Sequence, residues 1–383
     1  MKDTILGTLT LYMPNFSVGG VEVMTLKLAA SMMNRGFAVT LLVHNMEGEL
    51  ALHVPKGVRV VSLNTRRTLG AFLPLVRYLR WTQPDVLMSN LDLNNIIAIL
   101  ARFMAGKKTR VVITQHNSLR PEAQPRKWQF KVVPLAYRLL LRFADGVVAV
   151  SEGIANELVK VGKISRDRVT VIHNGVIDDE FKRRMGMVAN HRWITDNGAP
   201  FLLAIGRLEK EKDFETLLNA FALVRQNKKI RLIILGEGTQ GWRLQDKARA
   251  LGVAEDVSFP GFETNPMPFM RHAAALVMSS RFEGFGNVLV EGLACGTQIV
   301  STDCPHGPAE ILDGGRFGEL VAVGDHIALA AAILRTLERK PNQQALIERG
   351  MEFSSERASS LYENLLHRLR FGSEASTTSS RGE

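Results

Sequence analysis

The sequence predicts an α/β protein made of two doubly wound parallel-sheet domains. Three observations carry that expectation. The length of 383 residues suits two or three domains, each able to bury its own core. Short apolar runs without polar alternation recur, as strands covered on both faces require. Helix-length amphipathic segments separate them, which is the βα repeat of a parallel sheet.

In chain order, the first domain, 1–177, opens with "ILGTLTLY" and a helix over 21–34, followed by "AVTLLV" and "VRVVSL". A helix over 70–81, "DVLMS", a helix over 93–104 and "RVVIT" come next. Helices over 127–143 and 152–160 flank "GVVAV", and "RVTVI" closes the domain. The stretch 178–199, "DDEFKRRMGMVANHRWITDNGA", is polar and aperiodic and is expected to be a linker. Alternation restarts in 200–353 with "PFLLAI", a helix over 213–226, "IRLIIL", a helix over 241–251, "DVSFP", "ALVMS", a helix over 287–295 and "QIVS". Residues 371–383 have the composition of a disordered tail.

Composition narrows the function classes. The two cysteines, Cys295 and Cys304, form no C-x-x-C motif, and the N-terminal stretch lacks a long apolar run, so a reduced, cytoplasmic chain is expected. No run approaches the roughly 20 apolar residues of a membrane span. Charge is lopsided: residues 1–177 hold 23 basic against 11 acidic residues, +12, which leaves −2 for the remainder of a chain with net charge +10. Ordinary solubility and an anionic surface met by the first half both fit that asymmetry.

Several stretches have the chemistry of a ligand site. "RFEGFGNVLVEGLACG" places Glu283 in a glycine-rich loop and Glu291 inside the helix that follows. A helix N-terminus attracts anions, so two carboxylates beside it suit sugar hydroxyls better than phosphate. Gly19 and Gly20 precede the first helix, and Arg207 and Lys212 follow a strand in "AIGRLEKEKDF", where an arginine fork and a lysine point charge suit a diphosphate. "GEGTQG", from Gly236 to Gly241, matches a dinucleotide fingerprint, but it follows the second strand of its domain and no acid ends the next strand, which argues against a dehydrogenase. His116 ends the strand "VVIT", either as a site residue or as a partner of a backbone carbonyl. Cys304 and His306 fall short of a metal site, and no D-x-D is present to hold a divalent ion, so no metal and no cofactor are expected.

Taken in order, "VGGVE", "ITQHN", "VVAVSEGIANEL", "VIHNGV", "LLAIGRLEKEKDFETLLNAF", "ILGEGTQ", "VSFPGF" and "SSRFEGFGNVLVEGLACG" strongly resemble the retaining glycosyltransferases of family four. The resemblance implies the GT-B architecture, two Rossmann-like domains facing a cleft, with a helix over 354–370 crossing back to the first domain. It implies that Glu283 bonds hydroxyls of a donor sugar and Glu291 the nucleotide ribose, and that Arg207 and Lys212 hold the donor diphosphate. By the same resemblance Gly19 and Gly20 form the N-terminal glycine loop, and His116 faces the sugar across the cleft. Gly236, Phe262, Gly284, Phe285, Gly286, Asn287 and Val288 join the donor-binding set.

The implied reaction moves a hexosyl unit from a nucleotide sugar to an acceptor hydroxyl with anomeric retention, by front-side attack and without metal. "STDCPHGPAEIL" resembles loops of transferases that build lipid-linked bacterial glycans with UDP-sugars, so a glycan or polyprenyl-linked acceptor is expected. A UDP-sugar epimerase or a non-catalytic sugar-nucleotide-binding protein on the same fold are the competing readings. In "RKWQFKVVPLAYRLLLRF", Lys127, Lys131, Arg138 and Arg142 fall within about 60° of a helix surface. That stripe predicts peripheral contact with the anionic inner face of the cell membrane rather than with nucleic acid.

Overall fold

The structure, a computed structural model, describes residues 6–119, 129–195 and 200–371. The chain divides into two compact units: Met1–Gly175 together with Ser355–Glu383, and Val176–Ser354.

Unit 1 runs β1 (Gly7–Met13), α1 (Gly20–Asn34), β2 (Phe37–Val43), β3 (Arg59–Ser62), α2 (Phe72–Thr82), β4 (Val86–Asn90), α3 (Asp92–Met104) and β5 (Arg110–Gln115). It continues through α4 (Gln129–Leu140), β6 (Gly146–Ala149), α5 (Glu152–Gly162) and β7 (Val169–Val171). Its seven strands are parallel in the order β3-β2-β1-β4-β5-β6-β7. All seven were legible as apolar runs. The reason is visible in burial: every residue of β4 and β6 is buried, so neither strand alternates.

Unit 2 begins with α6 (Asp179–Met185) and α7 (Arg192–Thr195), then β8 (Phe201–Ile205), α8 (Phe214–Asn227), β9 (Arg231–Leu235), α9 (Gly241–Ala250), β10 (Val257–Gly261) and α10 (Met267–His272). There follow β11 (Ala275–Met278), α11 (Asn287–Ala294), β12 (Ile299–Thr302), α12 (Pro308–Ile311), β13 (Glu319–Val321), α13 (His326–Glu338) and α14 (Gln343–Met351). The six strands are parallel in the order β10-β9-β8-β11-β12-β13. The final helix, α15 (Ser355–Phe371), belongs to unit 1 and packs on α1. Its Ala358, Tyr362, Leu365 and Leu366 join Leu9, Leu11, Leu41 and Met88 in one buried cluster. Each large apolar side chain so buried contributes about 1.5–3 kcal/mol.

The linker expected at 178–199 is corrected. The chain leaves unit 1 after Gly175, and the described part of that stretch is folded into unit 2. Phe181 and Trp193 are buried, and Asn265 Nδ2 and Arg271 Nη1 donate to the carbonyls of Arg184 and Met185 at 3.0 and 3.1 Å. Two apolar anchors suffice to fix a segment whose other side chains are polar, so aperiodicity misread it. At the crossings, Ser355 Oγ donates to the Gly175 carbonyl at 2.6 Å and the Val176 amide to the Phe353 carbonyl at 2.9 Å.

Candidate functional site

In the unit 2 sheet the strand order reverses between β8 and β11. Loops leaving the carboxyl ends of such strands diverge, and the space they vacate is where open α/β sheets bind ligands. The β8 loop carries Arg207 and Lys212, and the β11 loop carries Glu283. The two loops are stitched together: Ser279 Oγ donates to the Lys212 carbonyl and the Arg281 amide to the Glu211 carbonyl, both at 2.8 Å. Lys212 Nζ donates to Glu283 Oε1 at 2.5 Å, and Ser280 Oγ donates to the same oxygen at 2.7 Å. With side chains only 19% and 12% exposed, this pair is less screened by water than a surface ion pair. Arg207 is exposed and bonds Glu211 Oε1 at 2.7 Å. Each cation the sequence assigned to a diphosphate thus has a carboxylate partner here.

Asp213 supports the loop from beneath. It sits in the left-handed region at φ 46°, buried, and its Oδ2 accepts from Thr216 Oγ1 at 2.9 Å and faces Arg281 Nε at 3.1 Å. Gly236, at φ 136°, lets the β9 loop press on the β8 loop: a Cβ there would stand 2.0 Å from the Gly206 carbonyl oxygen. Gly286, at φ 102°, caps α11, so Asn287 and Val288 form the first turn and half-buried Glu291 the second. Phe285 is buried, with its ring edge-on to Phe353 at 5.5 Å. Phe262 is 56% exposed just after β10, and its amide donates to Glu237 Oε1 on the β9 loop at 3.4 Å. Burial raises both cysteine thiols to about 12, with Glu283 a further cause at Cys304 and Glu291 at Cys295. Among the described residues no three His, Cys, Asp or Glu side chains converge as metal ligands would.

In unit 1 the order reverses between β1 and β4. Gly19 caps α1 and Gly20 opens it; a Cβ on Gly19 would lie 2.3 Å from Glu22 Oε2. His116 follows β5, half-buried, its Nε2 3.4 Å from Asn90 Oδ1 at the end of β4. Burial lowers the imidazole to about 4. Behind it, buried Gln115 accepts from Tyr137 Oη at 2.7 Å and donates to Asp92 Oδ1 and the Asn117 carbonyl, both at 2.7 Å. This network fixes the backbone on either side of His116. Thr25, Asn90, His116, His173 and Tyr362 line a cleft within unit 1. Thr25, Asn90 and His173 are not singled out by the sequence, although Asn90 ends the run "DVLMSN" and His173 lies within "VIHNGV". Of the basic stripe, Lys127 and the side chain of Lys131 lie outside the described residues, while Arg138 and Arg142 are exposed.

Comparison with known proteins places the chain. Residues 190–353 match the family described as Glycosyl transferases group 1, and residues 18–180 match Glycosyltransferase Family 4. The chain is 31% identical over 245 residues to the N-acetylgalactosamine-N,N'-diacetylbacillosaminyl-diphospho-undecaprenol 4-alpha-N-acetylgalactosaminyltransferase of Campylobacter jejuni, a match over 64% of each, so it spans less than two thirds of that relative. It is 31% identical over 288 residues to the lipopolysaccharide core biosynthesis glycosyltransferase LpsE of Rhizobium meliloti, covering 72% of this chain and 82% of that one. Among solved structures, the lipopolysaccharide outer core galactosyltransferase WaaB superposes with a TM-score of 0.73 at 20% identity, covering 94% of this chain and 99% of that one. HepE of Anabaena, solved with UDP and glucose, gives 0.75 at 20% identity, covering 95% and 99%. Two parallel-sheet domains, two family matches in tandem and a relative of 31% identity over most of both chains lead to one conclusion: the chain belongs to glycosyltransferase family four and has the GT-B fold.

Proposed function

We propose that this protein transfers a hexosyl or N-acetylhexosaminyl unit from a UDP-sugar to a glycan or polyprenyl-linked acceptor in bacterial surface polysaccharide or lipopolysaccharide assembly, with the anomeric configuration retained and without a metal. The observation that carries the reading is the Lys212–Glu283 pair at the strand-order reversal of unit 2, with Arg207 on the same loop and Glu291 on the helix that follows. A carboxylate able to accept sugar hydroxyls and two cations able to meet a diphosphate share one loop pair, beside the positive end of α11. When donor phosphates approach, Lys212 can transfer from Glu283 to the phosphate oxygens, leaving Glu283 to a sugar hydroxyl. Positioning and stabilisation of leaving-group charge then lower the barrier. In this reading His116, Gly19 and Gly20 are the residues that unit 1 contributes to donor binding.

The acceptor and pathway rest on the names of the relatives, one acting on a diphospho-undecaprenol glycan and one in lipopolysaccharide core biosynthesis. The UDP lean draws on the UDP complex of HepE. Membrane contact is supported by unit 1, where α2 packs on α3 and α3 on α4. Leu73, Trp81, Leu100, Met104, Val132, Leu135 and Leu139 stand exposed on these helices, and Arg77, Arg80, Lys107, Lys108, Arg138 and Arg142 on or beside them. Exposed apolar side chains among cations are what an anionic bilayer surface takes up.

The test is a thermal-shift screen of UDP-, GDP- and ADP-sugars, followed by transfer to a lipid-linked glycan with and without EDTA. UDP-sugar stabilisation, an α-linked product by NMR coupling and EDTA-insensitive turnover are expected. Donor turnover to altered free sugar with no acceptor present, a β-linkage, or activity lost to EDTA and restored by Mn²⁺ would each overturn the corresponding part.

A further inference from the structure

His116 is held by a short relay whose hydrogen-bond polarity is fixed at its far end. Thr25 Oγ1, on α1, donates to the Val21 carbonyl at 2.8 Å. A hydroxyl has one proton, so towards Asn90 it can only accept. Asn90 Nδ2 donates to it at 2.9 Å, which turns Asn90 Oδ1 towards His116 Nε2, 3.4 Å away. An amide oxygen accepts and never donates, so the imidazole nitrogen facing it must carry a proton. Thr25 and Asn90 are both buried, so an inverted amide would set its oxygen against the Thr25 oxygen, two acceptors with no proton between them, and that cost at the Thr25 end fixes which way the amide points.

We infer that Thr25 and Asn90 are positioning residues that fix His116 as the Nε2–H tautomer, leaving Nδ1 bare to accept a hydrogen bond from a hydroxyl of the bound sugar. Among the described residues Nδ1 has no hydrogen-bond partner, and His116 lines the unit 1 cleft. Burial keeps the ring neutral at physiological pH, so it presents an acceptor rather than a second donor. A ring so fixed selects a hydroxyl over a phosphate oxygen, since both the bare nitrogen and the anion are acceptors. The sugar as ligand rests on the proposed transferase reading; the tautomer rests only on the relay.

Long-range ¹H–¹⁵N spectra of the full chain labelled at its nine histidines, with His116→Gln supplying the assignment, read the tautomer directly. In the wild type His116 should show a protonated Nε2 and a bare Nδ1. Thr25→Val removes the acceptor that orients Asn90 and should move the ring signals towards a mixture of tautomers with loss of turnover. Thr25→Ser should keep the wild-type spectrum and activity. A proton on Nδ1 in the wild type, an even mixture, or an unchanged spectrum in folded Thr25→Val overturns the inference, and the wild-type spectrum decides even if that variant does not fold. An Nε2–H ring together with undiminished transfer by His116→Ala would reject the role of His116 in transfer and leave the relay standing.

Discussion

At residue scale the Lys212–Glu283 pair sets the sharpest expectation. Glu283→Gln keeps shape and one acceptor but frees Lys212 from its charge partner, so turnover should fall with little change in donor affinity. Glu291→Gln should weaken nucleotide binding instead, because a ribose contact persists through the reaction. Steady-state kinetics of the two variants test the split, and wild-type values in both would remove these residues from the site. Glu283→Ala also strands a largely buried ammonium, so a stability loss of about 1–3 kcal/mol should accompany it. Two further residues contribute to acid sensitivity. Burial lowers His44, 2.7 Å from Tyr12 Oη, and His116 from 6.5 to about 4. The unfolded chain therefore binds more protons between those values, and stability is full above pH 6.5 and falls as pH drops towards 4. Melting curves from pH 7 to pH 4 check this, and His44→Gln should flatten the slope. The sequence exposed Glu283, Lys212 and His116 because their loops carry glycine and strand-end signals. It could not show that Lys212 and Glu283, 71 positions apart, share a hydrogen bond, nor that Thr25 orients Asn90, because pairing across a sheet reversal leaves no local pattern.

At the scale of elements, the helices expected over 21–34, 93–104 and 287–295 stand at 20–34, 92–104 and 287–294, since periodicity and glycine punctuation mark them well. Among what escaped were the three-residue β13, α6 and α7 in the stretch read as a linker, and α13, whose thirteen residues are largely apolar but follow the last run read as a strand. Loop packing was equally illegible. Gly307, at φ 109°, brings the β12 loop so close to the β11 loop that a Cβ would stand 1.7 Å from the Phe285 carbonyl oxygen. Gly307→Ala should therefore shift residues 284–286 and lower both melting temperature and donor affinity, at a cost of roughly 1–3 kcal/mol from backbone strain alone. The second element-scale expectation concerns α15. Arg35, closing α1, bonds Glu363, Glu356 at 2.5 Å and Ser360 at 3.1 Å on that helix. Arg35→Ala should lower stability by about 1–3 kcal/mol, measured by denaturant titration, with the midpoint changing more than the cooperativity.

At the scale of the whole molecule, the +12 charge of residues 1–177 coincides with an exposed apolar set that includes Trp81 at 90% exposure. The protein should sediment with anionic liposomes and be released as salt shortens the screening length, each cation near the surface adding about 1 kcal/mol. Reversing Lys127, Lys131, Arg138 and Arg142 to Glu should abolish sedimentation without altering UDP-sugar affinity; equal binding to neutral vesicles, or none to either kind, would refute membrane contact. The excursion of the chain out of unit 1 at Gly175 and back at Ser355 has a consequence for biosynthesis. Chains emerge from the ribosome amino end first. The seven-stranded sheet is therefore made long before Ala358, Tyr362, Leu365 and Leu366 exist to cover its apolar cluster. Unit 2, contiguous over Val176–Ser354, can finish folding while the earlier-made half waits with α1 uncovered. Unit 2 can thus fold without α15 while unit 1 cannot be completed without it, and a chain truncated at residue 354 and released from the ribosome should carry a protease-resistant unit 2 beside a chaperone-binding unit 1.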